Sequence, residues 1–83
     1  MPREYAGMRI PTPEEVDRLR QRYEGLRVKV IEMPADPAPV EPGTEGTVEL
    51  VDGMGQLCVL WDNGSTLSLI PGVDKFEVLP FSR

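Results

Sequence analysis

A mainly β domain, with one N-terminal α-helix packed against a small SH3-like five-stranded barrel, is the fold this sequence predicts. Three observations carry it. Helical spacing of apolar residues stops at Gly25, the rest of the chain breaks into short aliphatic runs divided by turn residues, and 83 residues leave room for one core. At that length folding hides roughly 60–65% of the unfolded chain's surface, too little for a deep catalytic cleft.

The helix opens at Pro11-Thr12-Pro13-Glu14-Glu15. Thr12 is placed to accept from the backbone near Glu15, Glu15 to reach back to Thr12, and Pro13 to take the first helical position, where its missing donor costs nothing. Val16, Leu19 and Tyr23 make one narrow apolar stripe, and Gly25 arrives where a left-handed C-terminal residue is wanted, so the helix should span 13–24. Glu14, Arg18 and Arg22 stand four apart on the outward face. Arg20 borders the stripe, its stem expected over the core and its head on a carboxylate of the C-terminal half.

Leu26 to Met33 alternates with Arg27, Lys29 and Glu32 and reads as the first strand. The following 34–43 segment holds four prolines and is a stiff extended loop. Thr44 to Val51 is the second strand, closed by Asp52-Gly53-Met54-Gly55, and Gln56 to Asp62 the third. Asn63-Gly64 suits a type I′ two-residue turn with both φ angles positive, leading to a fourth strand from Ser65 to Ile70. Pro71-Gly72 breaks that strand, and Phe76 to Leu79 supplies a fifth. Gly46 and Gly53 suit the bends of a closing barrel. In Leu57-Cys58-Val59-Leu60-Trp61 both faces are apolar, so one should look into the barrel and the other be covered by the helix stripe.

Composition narrows function more than it specifies it. The chain has no histidine and one cysteine, which excludes disulfide frameworks, zinc clusters and histidine-based acid–base or nucleophilic sites, and no cofactor or metal is expected. The net charge of −5 is uneven: residues 1–33 carry +1 and residues 34–83 carry −6. An acidic balance argues against unaided binding to phosphate backbones or anionic membranes. Met1 to Ile10 shows no apolar run of signal length, and a single unpaired cysteine fits a reducing compartment, so a cytoplasmic protein is expected.

Each residue with chemistry also has a plain structural role. Trp61, within an apolar strand, is expected in the core. Asp62 beside Asn63-Gly64 is expected to accept turn backbone donors. Asp36, Glu41, Glu45 and Glu49 lack the ligand spacing of a calcium loop and form a solvated acidic face. Cys58, with no histidine to activate it, is expected buried and inert.

Thr12-Pro13-Glu14-Glu15-Val16 with Leu19-Arg20, the segment Pro42-Gly43-Thr44-Glu45-Gly46-Thr47-Val48, Val59-Leu60-Trp61-Asp62-Asn63-Gly64, and Ile70-Pro71-Gly72-Val73-Asp74-Lys75-Phe76 together resemble the bacterial family called domain of unknown function 4314. The resemblance runs from Thr12 to Leu79 and sets an N-terminal arm at 1–11, a single domain at 12–79 and a tail at 80–83. It implies a Gram-positive, phage- or plasmid-borne setting and no assigned activity. The placing of Gly43, Gly46 and Val48 is also similar to KOW-type modules, which bind RNA or protein.

Three functional classes follow. The first is a non-enzymatic protein-interaction module meeting a partner with a basic surface through Asp36, Glu41, Glu45, Glu49 and Asp62. The second is an acidic decoy from a mobile element that inhibits a host defence nuclease by filling its nucleic-acid channel. The third is a KOW-type nucleic-acid binder using Arg18, Arg22, Arg27 and Lys29. The first needs nothing the chain lacks and is the expected function, with no enzymatic activity.

Overall fold

The structure is a computed structural model and describes residues 10–34 and 36–80; positions 1–9 of the expected 1–11 arm and 81–83 of the expected 80–83 tail lie outside the described residues. Helix α1 spans Pro13–Tyr23. Its first turn closes as a capping box: the Glu15 N–H donates to Thr12 Oγ1 at 3.2 Å, and the Thr12 N–H donates to Glu15 Oε1 at 2.8 Å. Gly25 takes φ +86°, which a side chain would strain, and its N–H donates to the Val48 carbonyl at 2.8 Å. The helix is thereby joined to the sheet within two residues of its end.

Four antiparallel strands follow: β1 Arg27–Glu32, β2 Glu45–Val51, β3 Leu57–Trp61 and β4 Lys75–Val78, in the spatial order β3-β2-β1-β4. The fold is thus mainly β with one helix, as expected, but the sheet is open rather than a closed five-stranded barrel. The expected strand at Ser65–Ile70 is the missing piece. It meets β3 at one bridge, Leu57 with Leu69, through reciprocal bonds of 2.8 and 2.9 Å. Between the bridge and the 61–65 loop, the Trp61 indole Nε1 donates to the Leu67 carbonyl at 2.8 Å. One bridge leaves no ladder to carry the sheet round to β4.

Val28 and Val30 of β1, Val48 and Val51 of β2, and Leu57, Val59 and Trp61 of β3 point to one face and are buried with Leu69. Helix α1 covers that same face, burying Val16 fully and Leu19 and Tyr23 in part. Burial of such aliphatic side chains, about 1.5–3 kcal/mol each, is the main stabilising term.

Both hairpin loops share one geometry. In 52–56 the Gly55 N–H donates to the Asp52 carbonyl and the Asp52 N–H to the Gln56 carbonyl, each at 3.0 Å; in 61–65 the Gly64 N–H reaches the Trp61 carbonyl at 3.0 Å and the Trp61 N–H the Ser65 carbonyl at 3.4 Å. Each is a three-residue loop, a type I turn closed by a left-handed glycine, with Gly55 at +77° and Gly64 at +88°. This corrects the type I′ expectation: Asn63 has negative φ, because a third loop residue lets Gly64 alone supply the left-handed step. The Asn63 side chain instead accepts from the Ser65 N–H at 2.9 Å.

Beyond Val48, the β1 partner of β2 is replaced by one side chain of α1 and that of the residue capping its end. The Val51 N–H donates to Glu24 Oε2 at 2.8 Å, and Arg20 Nε donates to the Val51 carbonyl at 3.1 Å. Arg20 therefore serves a buried strand end, and its carboxylate partner is Asp17 of its own helix at 3.2 Å rather than one from the C-terminal half. Replacing Glu24 by Ala should orphan the Val51 amide and cost about 1–3 kcal/mol, read as a drop in the urea midpoint with unchanged m-value. A midpoint equal to the parent's would show that the clamp contributes nothing.

Candidate protein-interaction surface

The alternation that buries Val28, Val48 and Val59 turns their strand neighbours outward. Across the outer face, Arg27 of β1 stands opposite Thr47 of β2, and Thr47 opposite Leu60 of β3; Lys29 stands between Glu45 and Glu77. A register shift between Val48 and Leu50 makes Glu49 the extra residue of a bulge and places Leu50 opposite Cys58. The outer face of β2 and β3 is consequently apolar at Leu50, Cys58 and Leu60.

Among the described residues nothing covers that face. Leu60 is 52% exposed and Leu50 43%, and Cys58 is half-buried. The expectation that the second face of Leu57–Trp61 lies under the helix is corrected: α1 packs on the inner face, the side of Val48, and nothing among the described residues takes its place outside. Cys58 accordingly is a free thiol at a partly open position, not a buried one. Trp61 does lie in the core, 4% exposed.

Arg27 organises the charged end of the same face. Its Nη1 donates to Asp62 Oδ1 at 2.9 Å and its Nη2 to Asp62 Oδ2 at 2.6 Å, a two-pronged pair. The same guanidinium reaches Thr47 Oγ1 at 3.2 Å and Glu45 Oε1 at 3.4 Å. Side chains from β2 and from the residue after β3 are thus tied to one cation of β1. The hydrogen bonds that Arg27 donates to Asp62 hold the Asp62 carboxyl below its ordinary value and raise the Arg27 guanidinium further. Asp62 was expected to accept turn donors; Arg27 takes its oxygens instead, and Asn63 does the turn's work.

The remaining candidates are dispersed. Glu49 is exposed on the β2 bulge with no ion pair among the described residues. Asp36, half-buried in the proline-rich loop, accepts from the Ala38 N–H at 2.8 Å, and Glu41 is exposed farther along that loop. Of the five expected acidic residues, the structure brings only Glu45 and Asp62 onto one cation. The basic set is divided as well: Arg18 and Arg22 lie on α1, whereas Lys29 pairs with Glu77 at 3.1 Å and Arg27 is taken by Asp62. Among the described residues no group of three or more Cys, Asp or Glu could hold a metal ion, and no helix is long and apolar enough to cross a membrane.

The model of the family described as a domain of unknown function, DUF4314, matches residues 12–79. The chain belongs to the DUF4314 family. No curated protein and no solved structure matches it. The DUF4314 match spans the helix cap, the bulged β2 strand, Arg27 with both of its carboxylates, and the whole apolar face.

The lowered Asp62 value has a consequence of definite sign. A carboxyl titrating lower in the folded than in the unfolded chain adds stability that is complete above its ordinary value of 3.8 and is lost as pH falls below that through the lowered value. In Asp62→Asn, melting temperature should fall less steeply with acidification than in the parent, while the two curves run parallel from pH about 6 to 8. Identical acid limbs would show that the pair carries no linkage.

Proposed function

We propose that this chain is a non-enzymatic protein-interaction module acting in the cytoplasm, whose working surface is the outer face of β2 and β3. The observation that carries this reading is the uncovered pairing of Leu50, Cys58 and Leu60. The solvent side of an antiparallel sheet is ordinarily polar, and a contiguous apolar patch bordered by charge is the anatomy of a binding face. Glu49 supplies the unpaired acidic border, with Glu45 and Asp62 held on Arg27 beside it, so the partner fitted to it presents apolar residues and a basic group opposite Glu49.

The pairing of Arg27 and Lys29 with carboxylates weighs against the nucleic-acid reading, since a cation already neutralised releases few counterions from a phosphate backbone. The decoy reading is weakened for the reciprocal reason: two of the five acidic candidates are spent on Arg27, and the rest are scattered. In fold we read the open sheet, with the Ser65–Ile70 segment bonded beside β3, as a relative of the SH3-like barrel in which one strand has been reduced to a bridge.

The test compares captured partners. A partner retained from bacterial lysate by the parent should be lost by Leu60→Asp, which leaves the core untouched, and should associate more slowly with Glu49→Lys, the slowing fading as salt rises from about 0.01 M to 0.15 M. Retention by Leu60→Asp at parental level, or micromolar binding of the isolated chain to DNA or RNA, would overturn the reading.

A further inference from the structure

A second surface lies at the other side of the sheet, where β4 forms its edge. Among the described residues no strand pairs with the outer side of β4. The Leu79 N–H donates to the Arg27 carbonyl at 2.9 Å, and antiparallel backbones alternate, so Glu77 also turns its N–H and C=O toward β1. Phe76 and Val78 therefore turn theirs away from it. Two donors and two acceptors at strand spacing face outward.

Beside this edge is a shallow groove of about 620 Å³. Its floor is apolar and aromatic: Phe76 and Tyr23 meet edge to face with ring centroids 5.6 Å apart, and Ile31 and Val78 remain 46% and 42% exposed. Its rim is cationic. Arg22 lies over the Tyr23 ring at 5.3 Å, and Lys75, with a side chain 70% exposed, has only a 3.7 Å contact to Glu32. Asp74, which also lines the groove, is 5% exposed and accepts from the Ile70 N–H at 2.7 Å, so it offers little surface for direct contact with a ligand. In a chain of net charge −5, two of the three charged side chains lining this groove are cations.

We propose that the groove and the β4 edge bind an extended, acidic segment of another polypeptide, which adds as a strand beside β4. Backbone bonds to Phe76 and Val78 supply register-independent affinity, alternate apolar side chains enter the Tyr23–Phe76 groove, and the intervening carboxylates meet Arg22 and Lys75. Charge decides the class of ligand: a basic segment would face the cations Arg22 and Lys75, while the one lining carboxylate, Asp74, is buried and Glu32 lies 3.7 Å from Lys75. This site is separate from the β2–β3 face and does not rest on it.

The test is fluorescence anisotropy with labelled octapeptides alternating valine with aspartate or valine with lysine. The valine–aspartate peptide should bind the full chain and the valine–lysine peptide should not. Binding should weaken roughly tenfold or more in Arg22→Glu/Lys75→Glu, and again when alternate amides of the peptide are N-methylated, which removes strand pairing without altering the protein. Val78→Pro, which deletes one outward donor at an edge position that tolerates proline, should act likewise with an unchanged melting temperature. Leu60→Asp should leave this binding as it is, which separates failure here from failure of the β2–β3 face. Equal affinity for both peptides, no effect of charge reversal, or tighter binding of a single-stranded oligothymidylate than of the acidic peptide would overturn the proposal.

Discussion

The contact between Gly46 and Trp61 sets the geometry of the remaining sheet. The two residues face each other across β2 and β3, and a Cβ at Gly46 would stand 2.7 Å from the Leu60 carbonyl oxygen and from Val59 Cγ1, and 2.9 Å from Trp61 Cε3. Only a residue without a side chain permits this approach. Trp61 fills the vacated space, and its indole N–H fixes Leu67, which brings Leu69 into register with Leu57 and into the core. One missing side chain thus allows a segment that is not a strand to complete the hydrophobic interior.

The same two strands carry the face proposed for binding. Because Val48, Val59 and Trp61 must point inward around Gly46, Leu60 must point outward, and the bulge at Glu49 then restores Val51 to the core while sending Leu50 out beside Cys58. The apolar patch is therefore a by-product of how the core is packed, and it persists exposed because α1 is committed to the inner face. Arg27 limits what the charged border can do. A guanidinium shared by Asp62, Glu45 and Thr47 lowers the field that those carboxylates project, so specificity in such a face rests on shape and apolar contact, with Glu49 as the acidic group left outside the pair.

Local chemistry was legible in the sequence where it involves neighbours along the chain. The capping box at Thr12 and Glu15, the left-handed Gly25, and all four strands within a residue of their bounds follow from residue types at short spacing. What was not legible involves partners far apart. Alternation alone places Glu49 or Leu50 on the wrong face once a bulge intervenes, and no local pattern announces that bulge. Valine- and leucine-rich periodicity reads Ser65–Ile70 as a strand, whereas its bonding is decided by Trp61. Asn63-Gly64 is the favoured pair for a two-residue turn, yet Asp62 joins the loop, since its own side chain is drawn toward Arg27 from 35 residues away. Glu41, Glu49 and Asp62 are exposed and Asp36 and Glu45 half-buried, but how these carboxylates are distributed depends on topology, and so does the neutralisation of Arg27 and Lys29.

The account stands on the approach of β2 and β3 at Gly46, and Gly46→Ala tests it most directly. A single methyl there must displace backbone at Leu60 or expel Trp61, so the variant should lose about 1–3 kcal/mol in denaturant unfolding, and its tryptophan emission should shift to the red as the indole leaves Leu67. Parental stability together with parental emission would contradict the account, because the sheet would then be free to pair without the space that Gly46 provides.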